Sequence, residues 1–235
     1  MENIETQPLG TEQERQTAAR CRLYNLFAEV FRYPDETFRT QVRKGELEKT
    51  FQALLNELPY PFALSPEESG ALRLPDSMKD EDLEVEFVRL FEAGPGGPPC
   101  ALVESAYCED RKVVFKEIIL FYNHFGLSYA EGEQDERPDH LCLEMEFLHW
   151  LTFEEVHALQ TEVDPAACRR GQRDFLERHL LVWVTKLDER LDLIVEKLPE
   201  EEVCREAVSL YRGLVKLLQR FLEQELLYLK ALLAK

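Results

Sequence analysis

A chain of 235 residues with 45% hydrophobic content is long enough to bury a core without help from disulfides or metal. Its 46 acidic residues against 28 basic ones give a formal charge of −18, a field that repels phosphate backbones and so excludes nucleic acid as a ligand. The six scattered cysteines form no Cys-x-x-Cys pair, which excludes a zinc ribbon and fits reduced, mostly buried thiols.

Residues 1–16 are polar and acidic, unlike the basic and then apolar start of a signal peptide. Residues 18–31 place Leu23, Leu26, Phe27, Val30 and Phe31 at i, i+3, i+4, i+7 and i+8, one buried helical stripe. Pro34 ends it. Short helices are expected over 35–44 and 47–58, and the four prolines and Gly70 of 59–75 predict a loop. Residues 82–91 alternate weakly, but Leu83, Phe87, Leu90 and Phe91 also fit helical spacing, and no partner strand exists to pair with. Residues 94–99, Gly-Pro-Gly-Gly-Pro-Pro, cannot continue a regular element.

Helical spacing returns over 109–125 with Gly126 as its C-terminal cap. The acidic run 131–137 reads as a solvated connector, and Pro138 as a first-turn residue of a helix buried through Leu141, Met145, Leu148 and Leu151. Further helices are expected over 174–197 and 201–233. Residues 226–234 are broken by Lys230 and shorter than the about 20 residues of a membrane span, so a cytoplasmic chain without membrane insertion is expected. The fold class is all-α with at least eight helices and no sheet: one domain over 1–235, with a hinge between two helical halves near 126–138 and a flexible start over 1–16.

Two passages are more specific than an amphipathic helix. The first is Glu86-Phe87-Val88-Arg89-Leu90-Phe91-Glu92-Ala93-Gly94-Pro95, continuing through Pro98-Pro99 to Glu104-Ser105-Ala106-Tyr107. The second is Pro138-Asp139-His140-Leu141 followed by Glu144, Glu146, Phe147 and Leu148. In this order and separation they resemble the TorD/DmsD/NarJ family of molybdoenzyme maturation chaperones, over about residues 23–183. Val103 stands where a proline often precedes the Glu-Ser pair, and Phe87 where tyrosine is frequent. The chain is more similar to the branch serving the type II dimethyl sulfoxide reductase group, whose clients include chlorate, selenate, dimethyl sulfide and ethylbenzene enzymes.

The resemblance implies a binding protein, not an enzyme, with no cofactor and no metal of its own. Its expected partner is an apo molybdenum-containing oxidoreductase subunit with its twin-arginine leader, bound by a monomer or homodimer. On residue preference alone Asp139 reads as a helix-capping aspartate beside a surface His140. The resemblance instead places both in a leader pocket, Asp139 pairing with an arginine or lysine and His140 orienting the peptide backbone. It also brings in Glu104, Ser105 and Tyr107. Glu136, His140 and Glu144 fall at i, i+4 and i+8, an acidic wall or simply a solvated face. Tyr24 is the preferred aromatic for the leader groove, since its hydroxyl can stay wet while its ring packs.

Two rivals stand beside this reading. Glu146-x-x-His149 has di-iron spacing, so a helical metalloenzyme would use His140, Glu144, Glu146 and His149; no second Glu-x-x-His completes the set. The other is a helical scaffold without leader specificity. Ser105 lacks a nucleophile elbow, and the Gly94 loop lacks a phosphate-binding lysine.

Overall fold

The computed structural model describes residues 9–75, 78–129, 137–197 and 205–234. Among them are ten α-helices: α1 (Glu12–Val30), α2 (Glu36–Arg43), α3 (Glu46–Asn56), α4 (Pro66–Ala71), α5 (Asp80–Phe87), α6 (Arg111–His124), α7 (Leu141–Gln160), α8 (Ala166–Phe175), α9 (Leu181–Lys197) and α10 (Arg205–Leu233). No strand occurs among the described residues; one antiparallel bridge joins Val103 to His140. The all-α expectation holds.

Local chemistry sets most helix starts. Thr11, Asp35 and Asp110 cap α1, α2 and α6 with their side-chain oxygens, satisfying amides that have no helical partner. At the end of α6, Gly126 takes the left-handed conformation (φ 79°), and Leu127 N–H returns to the Tyr122 carbonyl at 2.9 Å, as its sequence position predicts.

Four expectations need correction. Residues 12–16 are helical, so α1 starts earlier than its apolar stripe because Thr11 and Glu14 close its first turn. The 59–75 segment contains α4, nucleated by a Ser65–Glu68 capping box that outweighs the surrounding prolines. Pro138 lies before α7, not in it: His140 is the N-cap, and the Pro138 carbonyl accepts the Tyr122 hydroxyl at 2.9 Å. α8, which carries a narrow buried face of Gly171, Gln172 and Phe175, has too few apolar positions to show in the periodicity. Residues 1–8, most of the proposed hinge and the start of the last expected helix at 201–204 lie outside the described residues.

α10 is the axis of the packing. It is buried from Ala207 to Leu229 and contacts α4, α5, α8 and α9, while α1 packs along α7. The buried apolar side chains of every helix but α4 join in one cluster. Inside it lies a fully buried guanidinium. Arg20 Nε donates to Glu225 (2.8 and 2.9 Å), Nη1 to Glu155 (2.9 Å) and Nη2 to Gln172 (2.6 Å). The hydroxyls of Tyr24 and Tyr60 also donate to Glu225, at 2.7 and 2.6 Å, and Arg169 closes on Glu155 at 2.7 Å. Burial pushes the Glu155 carboxyl up, but Arg20 and Arg169 outweigh it and leave the group below its ordinary range.

Arg20→Met removes the cation and strands two buried carboxylates, a change worth roughly 3–5 kcal/mol. A depressed carboxyl stabilises the fold above its unfolded pKa and loses that contribution as pH falls. Urea unfolding is therefore expected to show the full loss at pH 7 and a smaller loss near pH 4.

Candidate functional site

The two motif passages meet in space. After α5 the chain makes a π turn over Val88–Glu92, and the Gly94 loop folds back so that Cys100 N–H donates to the Leu90 carbonyl at 2.9 Å. Gly96 and Gly97 adopt positive φ (88° and 108°), which side chains beyond glycine rarely tolerate. The chain then pairs through Val103 with the residue that starts α7, His140. Leu141 N–H donates to the Leu102 carbonyl and Glu104 N–H to the Asp139 carbonyl, both at 2.9 Å. A short 3-10 turn, Glu104–Ala106, follows.

This pairing holds the Asp139 side chain away from the helix start. It is fully buried, and Oδ2 accepts the Ser105 N–H and the Arg137 Nη2, each at 3.0 Å. The capping role falls to His140, whose Nδ1 accepts Cys142 N–H at 3.3 Å. Burial pulls the His140 pKa down to about 4. At neutral pH the ring is uncharged, its proton on Nε2 because Nδ1 accepts.

Beneath these residues lie further buried acids. Glu104 meets His179 Nδ1 at 3.0 Å, both buried. A π turn at Leu176–Leu180 aims His179 inward, a distortion that recurs at functional sites. Glu144 is fully buried and accepts the Trp183 indole N–H at 3.0 Å. Burial, followed by the nearby Glu104 charge, pushes its carboxyl well above the ordinary range. Tyr107 stacks on Trp183 with ring centroids 5.5 Å apart, and the Arg190 guanidinium covers it at 4.1 Å.

The sequence-predicted residues therefore divide. Asp139, His140, Glu104, Ser105, Tyr107 and Glu144 come together. Tyr24 does not: it is fully buried and its hydroxyl belongs to the Arg20 network, so the expected wet hydroxyl is corrected. Glu144 faces Trp183 inside the core and forms no acidic wall with His140; Glu136 lies outside the described residues. Sequence reasoning missed His179, Trp183 as a polar partner and Arg137. The signal for the buried acids was present: Glu144 shares the helical stripe of Leu141, Met145 and Leu148.

The metal alternative finds no support in the geometry. Glu146 pairs with Arg32, and His149 Nδ1 lies 3.2 Å from Cys21 Sγ and 3.0 Å from the Cys21 carbonyl. Burial pushes the Cys21 thiol up to about 12, the opposite of a metal-binding or nucleophilic cysteine. Among the described residues no three His, Cys, Asp or Glu side chains converge as a metal site, and no disulfide joins the cysteines there.

Beside the paired motif segments opens a cleft of about 430 Å³, whose walls include Phe91, Pro98, Val103, Ser105, Arg137 and His140. Arg111 and Glu92 also line it. Its lining is thus more basic than the net charge implies, with Arg111 and Arg137 against the single carboxylate of Glu92.

Glu144 offers a direct test of the buried acidic cluster. Its folded-state pKa is raised, so ionisation opposes folding; the penalty is absent below the unfolded carboxyl pKa and grows as pH rises towards the folded one. Glu144→Gln keeps an acceptor for Trp183 and loses the ionisable proton. It is expected to be more stable than the wild type by about 1–3 kcal/mol at pH 7 and equal to it near pH 4, read by chemical unfolding at both pH values.

Comparison with known proteins gives the context for this cleft. The sequence model of the family described as "Nitrate reductase delta subunit" matches residues 44–189. The chain is 30% identical over 210 residues to the perchlorate reductase assembly chaperone protein of Dechloromonas aromatica (strain RCB), covering 88% of each chain. It is 36% identical over 118 residues to the selenate reductase assembly chaperone protein of Thauera selenatis (49% of this chain, 61% of that one). It is also 37% identical over 114 residues to the chlorate reductase assembly chaperone protein of Ideonella dechloratans (48% and 58%). None of these relatives is named as a catalyst, and no helix of the described residues is long and apolar enough to cross a membrane. The chain, with its motif segments converging on one cleft, belongs to the nitrate reductase delta subunit family, the NarJ/TorD family that those motifs resemble.

Proposed function

We propose that this protein is the dedicated assembly chaperone of a molybdenum-containing reductase of the type II dimethyl sulfoxide reductase group. It binds the apo catalytic subunit in the cytoplasm, through its twin-arginine leader and adjoining surface, and holds it back from export until its cofactor is in place. The observation that carries this reading is the meeting of the two motif segments, with Pro98, Ser105 and His140 lining one cleft and the buried Asp139 carboxylate bonded to Ser105 and Arg137 of its wall. The relatives' names, each an assembly chaperone of an oxyanion reductase, support the client class.

The chemistry of the cleft suits reversible capture of a peptide. Neutral His140 can exchange hydrogen bonds with a peptide backbone without a charge penalty. Phe91, Pro98 and Val103 present apolar surface for the leader's hydrophobic segment. Asp139, sheltered from water, supplies the charge that distinguishes an arginine-bearing leader from an apolar one. Single-site capture by a monomer or by each half of a homodimer needs no further group.

Isothermal titration with the leader peptide of the co-encoded reductase tests this. Native leader is expected to bind more tightly than twin-lysine and twin-alanine versions, because lysine lacks the guanidinium fork. Asp139→Asn should weaken the native complex by about 1–3 kcal/mol with helical circular dichroism unchanged. Equal affinity for all three leaders, undiminished in Asp139→Asn, would remove the leader-binding mechanism.

A further inference from the structure

We infer that Asp139, Ser105 and the face of Phe115 form a guanidinium-binding site, and that Arg137 occupies it as a built-in competitor which an incoming arginine displaces. The part concerning the client rests on the chaperone reading above; the site itself does not.

Arg137 holds the position through one nitrogen. Its Nη2 donates to Asp139 Oδ2 at 3.0 Å and to the Ser105 hydroxyl oxygen, and its guanidinium carbon lies 5.0 Å from the Phe115 ring centroid. These are the three contacts that recognise a guanidinium: a carboxylate, a neutral acceptor and an aromatic face. The carboxylate is part of a built pocket, since Asp139 is fully buried and backbone hydrogen bonds hold it on both sides.

The fit is incomplete on both partners. Asp139 Oδ1 and Arg137 Nε are each buried with no hydrogen-bond partner. A free arginine approaching a carboxylate uses two parallel N–H groups and both oxygens. Arg137, anchored two residues away with its carbonyl accepting His140 N–H at 2.9 Å, brings only one nitrogen to the carboxylate. An untethered guanidinium entering from the cleft is free of that restraint and can use Oδ1 as well. The occupant is also the movable partner: the Arg137 side chain is 37% exposed whereas that of Asp139 is 0%, and Arg137 lines the cleft from which a peptide would arrive.

A resident guanidinium explains why a buried aspartate can persist beside an open cleft. It keeps Asp139 paired in the empty chaperone, where an unpaired buried carboxylate would be costly. It also raises the threshold for capture. A single stray cation gains little from exchanging with Arg137, whereas an arginine supported by neighbouring leader contacts gains enough to displace it. Lysine, with a compact ammonium and no planar fork, exchanges poorly.

The test uses N-acetyl-arginyl-arginine amide as the probe, with the lysyl-lysine analogue as control, titrated into the full chain by calorimetry. Arg137→Ala is expected to bind the arginine probe about tenfold more tightly than the wild type, the scale of one charge-assisted contact. The gain should be absent for the lysine probe and abolished in Arg137→Ala with Asp139→Asn. Unchanged or weaker binding to Arg137→Ala, or a gain that survives Asp139→Asn, would overturn the inference. If Arg137→Ala does not fold, Arg137→Gln decides: millimolar guanidinium chloride should raise its melting temperature relative to equal sodium chloride, and no rise overturns the proposal. Binding of the arginine probe without binding of any reductase leader would leave the site standing and remove the client reading instead.

Discussion

A fully buried arginine constrains how this bundle can be assembled. Arg20 satisfies its guanidinium on side chains of α7, α8 and α10 at once, and α1 has to sit where all three can reach it. Apolar packing tolerates small slips of one helix against another, because methyl groups are interchangeable neighbours. A five-donor fork does not tolerate them. The network's value lies in register more than in net stability, since buried ion pairs rarely outperform apolar replacements of the same shape. Tyr60 carries the constraint outwards: by donating to Glu225, it ties the segment between α3 and α4 to the long α10.

The second buried acidic group shows the contrast. Glu155 and Glu225 are matched by Arg20 and Arg169, and Glu155 stays ionised. Glu104, Glu144 and Asp139 have no such central cation. They rely on His179, the Trp183 indole, backbone amides and the half-exposed Arg137. Glu144 resolves the conflict by holding its proton. One cluster is closed and structural; the other is incompletely paired and meets the wall of a cleft through Ser105 and Arg137. Incomplete pairing is what a binding site for a cation requires, since a fully matched carboxylate has nothing left to offer.

The cleft depends on irregular backbone. The π turn after α5, the positive φ at Gly96 and Gly97, and the single bridge from Val103 to His140 bring chain segments about forty residues apart into register. None stabilises the molecule much by itself. Together they turn Asp139 away from the helix it would ordinarily cap and leave that role to His140.

By itself the sequence determined the fold class, the main helices and the identity of the motif segments, because 3.6-residue apolar spacing and proline and glycine punctuation are local signals. Arg20, Glu144, Glu155 and Glu225 lie on apolar stripes as well, but spacing alone does not say which charge each would meet. Tertiary structure decided the rest. Tyr24 went to the Arg20 network and not to a wet groove, and His179, 75 residues from Glu104, became its partner through a π turn invisible to spacing. Asp139 met Arg137 and Ser105 in place of its own helix amides. Helix periodicity specifies which side of a segment is buried, whereas the pairing of buried polar groups depends on which helices lie against one another, a property of the packed chain as a whole.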